Sequence, residues 1–165
     1  MAAYDSVVRP LDPGLRLLTL LFTDAVSSTE QQIRLGDHQG DGLRRERDEI
    51  VAREVERAHG TLVKSTGDGS FAVFVSPSEA ISCSVAVQRS LAQRNLEATE
   101  PIGLRVGLAT GEVMVEDGDV YGRAANESAR ITALAKGGEI LCCGRPVSWP
   151  NHDRTTASSP WARCC

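Results

Sequence analysis

Two arrangements of apolar positions alternate along this chain: short continuous runs, and stripes that recur every three or four residues. The run at 16–22 predicts a strand that is buried on both faces. After it, apolar residues fall on one helical face, and Gly60 follows as the expected C-cap residue. These residues are Leu43, Ile50, Val51, Val55 and Ala58. The pattern predicts a strand followed by a long amphipathic helix.

Two hairpins are predicted next. The β-type runs 61–66 and 70–75 flank Gly67-Asp68-Gly69, and an Asp-Gly step between such runs is typical of a hairpin tip. A second pair of runs, 103–109 and 112–116, surrounds Thr110-Gly111. We therefore expect Asp68 at the first tip and a second turn at Thr110-Gly111.

The remaining elements are two helices and a short strand. Ser76-Pro77 is a helix-start signal, followed by a stripe of Ala80, Cys83, Val87 and Leu91. A second helix is expected over 122–136, ended by Gly137-Gly138, with Ala124, Ser128, Ile131 and Ala135 as its packed stripe. A strand at 139–143 completes an α+β, ferredoxin-like βαββαβ sheet with extra strands and helices.

Length and composition favour one domain. The chain has 165 residues, a mass of 17.7 kDa and 41% hydrophobic residues, which is enough for one real core. We expect a lead-in at 1–15, the domain at 16–143 and a poorly ordered tail at 144–165, which is aperiodic and rich in Pro, Ser, Thr and Arg.

Charge and cysteine usage exclude several classes of partner. A net charge of −4 argues against nucleic-acid binding. The sequence has no apolar run of about 20 residues and no signal-peptide pattern, so it predicts a cytoplasmic protein without a membrane partner. The five cysteines lack metal-ligand spacing and are expected to be reduced thiols.

Asp24 and Asp68 each stand where an apolar run breaks. Two such carboxylates suit a hard divalent ion that also holds substrate phosphates. The segment 25–29 leads into a helix and offers backbone N–H groups as a phosphate cradle. Taken singly, an Asp after a strand is more often only a helix N-cap, and an Asp-Gly step is more often only a turn.

Over residues 16–143 the chain resembles the catalytic domain of the class III nucleotidyl cyclases, of the compact bacterial type. The segments that carry the resemblance are 21–29 (LFTDAVSST), 64–69 (KSTGDG), 104–111 (LRVGLATG), 119–122 (DVYG) and 126–130 (NESAR). The resemblance implies the cyclase fold and an adenylate cyclase activity that converts ATP to cyclic AMP and pyrophosphate.

The resemblance also implies a role for each matching residue. The metal site would contain Asp24, Ala25 and Asp68 and hold two Mg²⁺ or Mn²⁺ ions; Lys64 and Asp119 would read adenine, where guanylate cyclases typically carry Glu and Cys. Arg105 would contact phosphate, as would Val26, Ser27, Ser28 and Thr29. Asn126 would orient the ribose and Arg130 would stabilise charge on the α-phosphate.

In the family the site lies between two antiparallel subunits, so a head-to-tail homodimer with two shared sites is implied. Ala109, Ala125 and Glu127 depart from the family pattern near that interface. After Cys143 no residue matches a late phosphate-contacting Lys, and C-terminal strands are expected to be missing. A weakly active or inactive nucleotide-binding or regulatory homologue is therefore an alternative, and an interaction domain without a nucleotide site is a third.

Overall fold

The computed structural model describes residues 11–143 and 162–164. Its strands are β1 (Gly14–Ala25), β2 (Thr61–Ser65), β3 (Gly69–Phe74), β4 (Leu104–Glu116), β5 (Asp119–Tyr121), β6 (Ile140–Cys143) and β7 (Ala162–Cys164), and its helices are α1 (Ser28–Arg57), α2 (Pro77–Asn95) and α3 (Arg123–Leu134). Among these helices we find none with the length and apolar character needed to cross a bilayer.

The sheet is built on a ferredoxin-like core. Its order is β2-β3-β1-β4-β6-β7, with β5 paired to β4. The first four strands are antiparallel, and β6 and β7 extend the edge in parallel. The predicted α+β fold class is confirmed.

The C-terminal segment supplies one strand that its aperiodic sequence did not predict. Residues 162–164 pair in parallel with β6. Beyond Cys143 the structure describes this one short strand, whose pairing with the edge of β6 needs backbone groups rather than an apolar pattern. The rest of the segment, 144–161 and 165, lies outside the described residues, as do residues 1–10 of the lead-in.

Each face of the sheet carries its own apolar cluster, because side chains alternate along a strand. On one face Leu21, Ala72 and Phe74 pack with residues of α1 and α2. On the other, Leu20, Phe71 and Val73 pack with residues of β5 and α3. Strands β1, β3 and β4 are thus packed on both faces.

The predicted turn at Thr110-Gly111 is wrong, because β4 runs unbroken through it and pairs with the whole of β1. Gly111 instead makes room for α3: a Cβ there would lie 2.9 Å from Cβ of Ala124. The real hairpin turns at Asp117-Gly118, where both residues have positive φ (51° and 78°), as a type I′ turn requires.

The long helix α1 confirms the predicted amphipathic helix but kinks at Gly36, which has φ 75° and ψ 169°. The C-terminus of α1 also differs from the sequence prediction, in which Gly60 is the C-cap residue. The left-handed residue is His59, with φ 56°, and Gly60 follows it and donates to Val55 O at 2.9 Å. Gly60 lacks a side chain for a packing reason, since a Cβ would lie 2.4 Å from the Phe74 ring.

The other two helices agree with their sequence signals. Ser76 caps α2, its Oγ accepting from the Glu79 N–H at 3.4 Å, and the predicted stripe, including Cys83, is buried. The predicted stripe around α3 is buried too. α3 lies close to β4, where Ser128 Oγ donates to Gly107 O at 2.9 Å and a Cβ on Gly107 would meet the helix backbone.

Candidate active site

Asp24 and Asp68 lie side by side along the backbone, at the end of β1 and at the β2–β3 tip. Asp24 is opposite Gly69 in the β1–β3 ladder, and the Ala25 N–H donates to Asp68 O at 2.8 Å. The approach depends on Gly69, because a Cβ there would lie 2.0 Å from Thr23 O. The two aspartates that the sequence singled out are therefore brought together.

Arg105 joins this pair from β4. It is opposite Asp24 in the β1–β4 ladder, and its Nε donates to Asp24 Oδ2 at 2.7 Å, with a second, shorter contact from the same guanidinium. Both side chains are about one-third exposed. A guanidinium so placed neutralises Asp24 and can also reach a phosphate at the rim.

The oxygen donors at this rim fit a magnesium or manganese ion that is shared with a nucleotide. Within the described residues no three His, Cys, Asp or Glu side chains converge as a closed metal cage. Mg²⁺ instead is usually held by one or two carboxylates, with phosphate oxygens and water completing its octahedron. Asp24 and Asp68 supply that number of carboxylates, and Asp68 is exposed to a ligand from outside.

The phosphate cradle is shorter than the sequence predicted. The N–H groups of Ala25 and Val26 are engaged by Asp68 O (2.8 Å) and Gly103 O (3.0 Å). Ser27 is left-handed, with φ 56°, and its carbonyl accepts the first helical bond from the Gln31 N–H. The N–H groups ahead of that bond, on Ser28, Thr29 and Glu30, lie at the positive end of α1.

A cavity of about 370 Å³ opens beside this helix start. Its lining includes Ser28, Thr29 and Asp68, together with Arg44 and Arg47 from later in α1. It therefore connects two residues of the predicted metal site, Ala25 and Asp68, with the phosphate cradle. An anion held there would meet helix N–H groups on one side and the Arg44 guanidinium on the other.

Lys64 and Asp119 form a second group. Lys64 Nζ lies 2.9 Å from Oδ1 and 2.7 Å from Oδ2 of Asp119. The hydrogen bond from Lys64, and next the one from the Val120 N–H, lower the pKa of the Asp119 carboxyl. The pair is partly exposed, so it can open toward a ligand.

Asn126 and Arg130 project from α3 away from its buried stripe and are exposed. Neither side chain hydrogen-bonds or pairs with Asp24, Asp68, Lys64 or Asp119 in the described part of the chain. The structure thus brings together Asp24, Asp68 and Arg105, brings together Lys64 and Asp119, and leaves the two α3 residues outside both groups.

Sequence reasoning missed Arg47. This residue is buried, with 4% of its surface exposed, and its guanidinium donates to Gly67 O at 2.6 Å and Asp68 O at 3.0 Å. Its position among the apolar residues of α1, between Leu43 and Ile50, is the sign of it in the sequence.

The fold and parts of the sequence match known proteins. A crystal structure of an adenylate/guanylate cyclase/hydrolase from Silicibacter pomeroyi superposes with a TM-score of 0.65 at 30% identity, over 76% of this chain and 74% of that one. The chain belongs to the class III adenylate/guanylate cyclase family. The resemblance drawn from its motifs is confirmed.

Other relatives extend this result. The crystal structure of the guanylyl cyclase Cya2 has the same fold, with a TM-score of 0.70 at 23% identity, over 79% of this chain and 76% of that one. A protein named "Putative adenylate cyclase 3" from Rhizobium meliloti is 35% identical over 127 residues, or 76% of this chain. No protein-family profile matches the sequence.

This cyclase-family chain is short beside its curated relatives. It spans 22% of the Rhizobium meliloti protein and 16% of a Myxococcus xanthus protein named serine/threonine-protein kinase pkn2, to which it is 28% identical over 137 residues. The matched region is therefore one part of each relative. Adenylate and guanylate cyclases both occur among the similar proteins, so the family alone leaves the base open.

Proposed function

We propose that this chain is an adenylate cyclase that converts ATP to 3′,5′-cyclic AMP and pyrophosphate. The observation that carries the proposal is the Lys64–Asp119 pair, at 2.7 to 2.9 Å. Adenine offers an acceptor at N1 beside a donor at N6, which suits an ammonium next to a carboxylate. Guanine offers the opposite order at the same edge, a donor at N1 and an acceptor at O6.

In the proposed reaction the ribose 3′-oxygen forms a bond to the α-phosphorus as the bond to the β-phosphate oxygen breaks. The 3′-hydroxyl proton leaves, and pyrophosphate departs with the electron pair. Two Mg²⁺ or Mn²⁺ ions, when bound, would acidify the 3′-hydroxyl and neutralise the phosphates. Asp24, Ala25 and Asp68 would hold them, because both carboxylates stand at one rim.

The chain's own groups would then bind and orient the nucleotide. The helix start at Ser27, Ser28 and Thr29, with Val26 shaping the turn before it, would hold the terminal phosphates against a positive dipole. Arg105, which pairs with Asp24 here, would bind a phosphate oxygen when Asp24 serves as a metal ligand. Asn126 would orient the ribose, and Arg130 would stabilise the charge that grows on the α-phosphate.

A head-to-tail homodimer completes the proposal. Asn126 and Arg130 are exposed and contact neither aspartate of their own chain, so a second copy would bring them to the site together with its Lys64 and Asp119. An apolar row also crosses three strands at the outer sheet surface: Leu15 is opposite Met114, which is opposite Tyr121, and they are 64%, 44% and 54% exposed. Such a row suits a partner surface.

The alternative is a weakly active or inactive nucleotide-binding or regulatory homologue. The ion pair between Arg105 and Asp24 favours it, since a metal must compete with that guanidinium for the carboxylate. Under this alternative the chain binds nucleotide without turning it over.

Measuring the product formed from ATP or GTP with Mn²⁺ tests the proposal. We expect cyclic AMP from ATP, at least about tenfold less product from GTP, and loss of both with Asp24→Ala or Asp68→Ala. Asp12→Ala is the matched control, since Asp12 is exposed and forms an ion pair with the nearby Arg16, away from the site. Nucleotide binding without product would establish the alternative instead.

A further inference from the structure

Arg47 is held in the interior between α1 and the β2–β3 tip. It is 4% exposed, and its guanidinium makes four short hydrogen bonds: Nε to Asp48 Oδ1 at 3.0 Å, Nη2 to the same oxygen at 2.8 Å, Nη2 to Gly67 O at 2.6 Å and Nη1 to Asp68 O at 3.0 Å. Burying a guanidinium is costly unless its donors are used and its charge is matched. Both conditions are met here.

The acceptors of Arg47 are main-chain carbonyls of the tip itself. Gly67 has φ +80°. Because glycine has no Cβ, its backbone could adopt many other conformations if the turn were loosened. Asp68 O accepts both from Arg47 and from the Ala25 N–H, at 3.0 and 2.8 Å. The Asp68 carbonyl is therefore bound both by α1, through Arg47, and by Ala25, the residue that follows Asp24.

We infer that Arg47 is a positioning residue that fixes the Gly67–Asp68 backbone and so sets the place of the Asp68 carboxylate relative to Asp24. The metal part of this inference rests on the proposed function. The planar guanidinium of arginine has several N–H donors and can hold two successive carbonyls at once. The ammonium of lysine, on its flexible side chain, does this less well. Partners that orient metal-binding carboxylates in this way typically change metal affinity about 10- to 100-fold when removed.

A purely structural role for Arg47 would give a different experimental result. If Arg47 served only α1 itself, through its contact with the neighbouring Asp48 on the same helix, its loss would lower the stability of α1 without a selective effect at the tip. The tip has its own reporters, because the Thr66 N–H donates to Gly69 O at 2.8 Å and the Ala25 N–H to Asp68 O. Leu20 and Leu21, fully buried in the middle of β1, report on the sheet as a whole.

The test uses the full chain with Arg47→Gln and Arg47→Lys, and with Arg45→Gln as the matched control, since Arg45 is an exposed arginine two residues away on the same helix. Amide hydrogen exchange is measured first, without metal or nucleotide. We expect exchange at Ala25 and Thr66 to rise about tenfold in Arg47→Gln, with Leu20 and Leu21 unchanged. Arg47→Lys should lie between wild type and Arg47→Gln.

Activity supplies the second readout. The Mn²⁺ concentration for half-maximal cyclic nucleotide formation should rise about tenfold in Arg47→Gln and stay at the wild-type value in Arg45→Gln. Unchanged exchange at Ala25 and Thr66 in a folded variant would overturn the inference; if Arg47→Gln does not fold, Arg47→Lys decides by the same criterion. A wild-type chain that forms no product at any Mn²⁺ concentration contradicts the proposed function instead, and the exchange result still decides the role of Arg47.

Discussion

Lys64 on β2 and Asp119 on β5 form an ion pair although their strands are not neighbours in the sheet. The pairing arises because the β4–β5 hairpin folds over the sheet face that carries Phe71 and Val73, where Val120 joins the same apolar cluster. Lys64 Nζ also lies 5.9 Å from the centre of the Phe71 ring. Packing of that face thus places the two polar groups together.

Reversing the donor and acceptor at this pair should change the preferred base. We expect Lys64→Glu with Asp119→Cys to lower kcat/KM for ATP about 100-fold and to raise it for GTP, because the donor and acceptor that face adenine would be mismatched. The measurement is cyclic AMP and cyclic GMP formation under equal conditions. Lys136→Gln, at an exposed position just after α3, changes the net charge by the same amount and is the matched control. An ATP preference that survives the exchange would show that other residues read the base.

The same pair gives a pH prediction. Lys64, through its hydrogen bond, lowers the pKa of Asp119 in the folded chain. A carboxyl whose folded pKa lies below its unfolded value stabilises the fold above the unfolded pKa, and that contribution is lost as pH falls through the folded pKa. Carbon NMR titration should show the Asp119 midpoint rising toward its ordinary value in Lys64→Met. An equal midpoint in both proteins would mean that the pair does not persist in solution.

Two glycines at the β2–β3 tip should differ in their cost of substitution. Gly67→Ala meets no atom within 4 Å but keeps φ +80°, so we expect it to lower the unfolding free energy by about 1 kcal/mol. Gly69→Ala would place a Cβ 2.0 Å from Thr23 O and should cost about 3 kcal/mol. Urea unfolding measures both. Equal costs would mean that the tip shifts freely away from β1.

Thiol labelling should separate the described cysteines. Burial, and next the negative charge of Glu54, raise the pKa of Cys83 to about 12, whereas Cys143 is exposed. The thiolate is the reactive form, so native protein at pH 8 should be labelled at Cys143 and left unmodified at Cys83. Peptide mass mapping checks this. Labelling of Cys83 at the rate of Cys143 would indicate that α2 opens readily.

Local signals predicted the elements whose cause is local. Ser76 and Pro77 start α2 because a capping hydroxyl and a fixed φ act within one turn. The Asp68-Gly69 tip was found for a similar reason. At Thr110-Gly111 the same logic failed, since Gly111 serves contact with Ala124, and the Asp117-Gly118 step that makes the turn was overlooked.

The residues of the candidate site also divide into those that local sequence signals predict and those whose role depends on residues distant in sequence. Motifs singled out Asp24 and Asp68, and the β1–β3 register brings them together. Arg47 was missed because its acceptors are 20 and 21 residues away, so the reason for its burial exists only in the folded chain. The cradle was overestimated because the partners of the Ala25 and Val26 amides, Asp68 and Gly103, are also distant in sequence.

In the proposed dimer each site takes Asp24 from one copy and Lys64 from the other. The most direct test of such a shared site is to mix Asp24→Ala with Lys64→Ala protein and measure cyclic AMP formed from Mn²⁺-ATP. Each variant alone should be inactive. Random exchange puts half of the dimers in the mixed form with one intact site of two, so the mixture should recover about a quarter of wild-type activity. A mixture as inactive as its components, beside an active wild-type chain, would contradict the shared site.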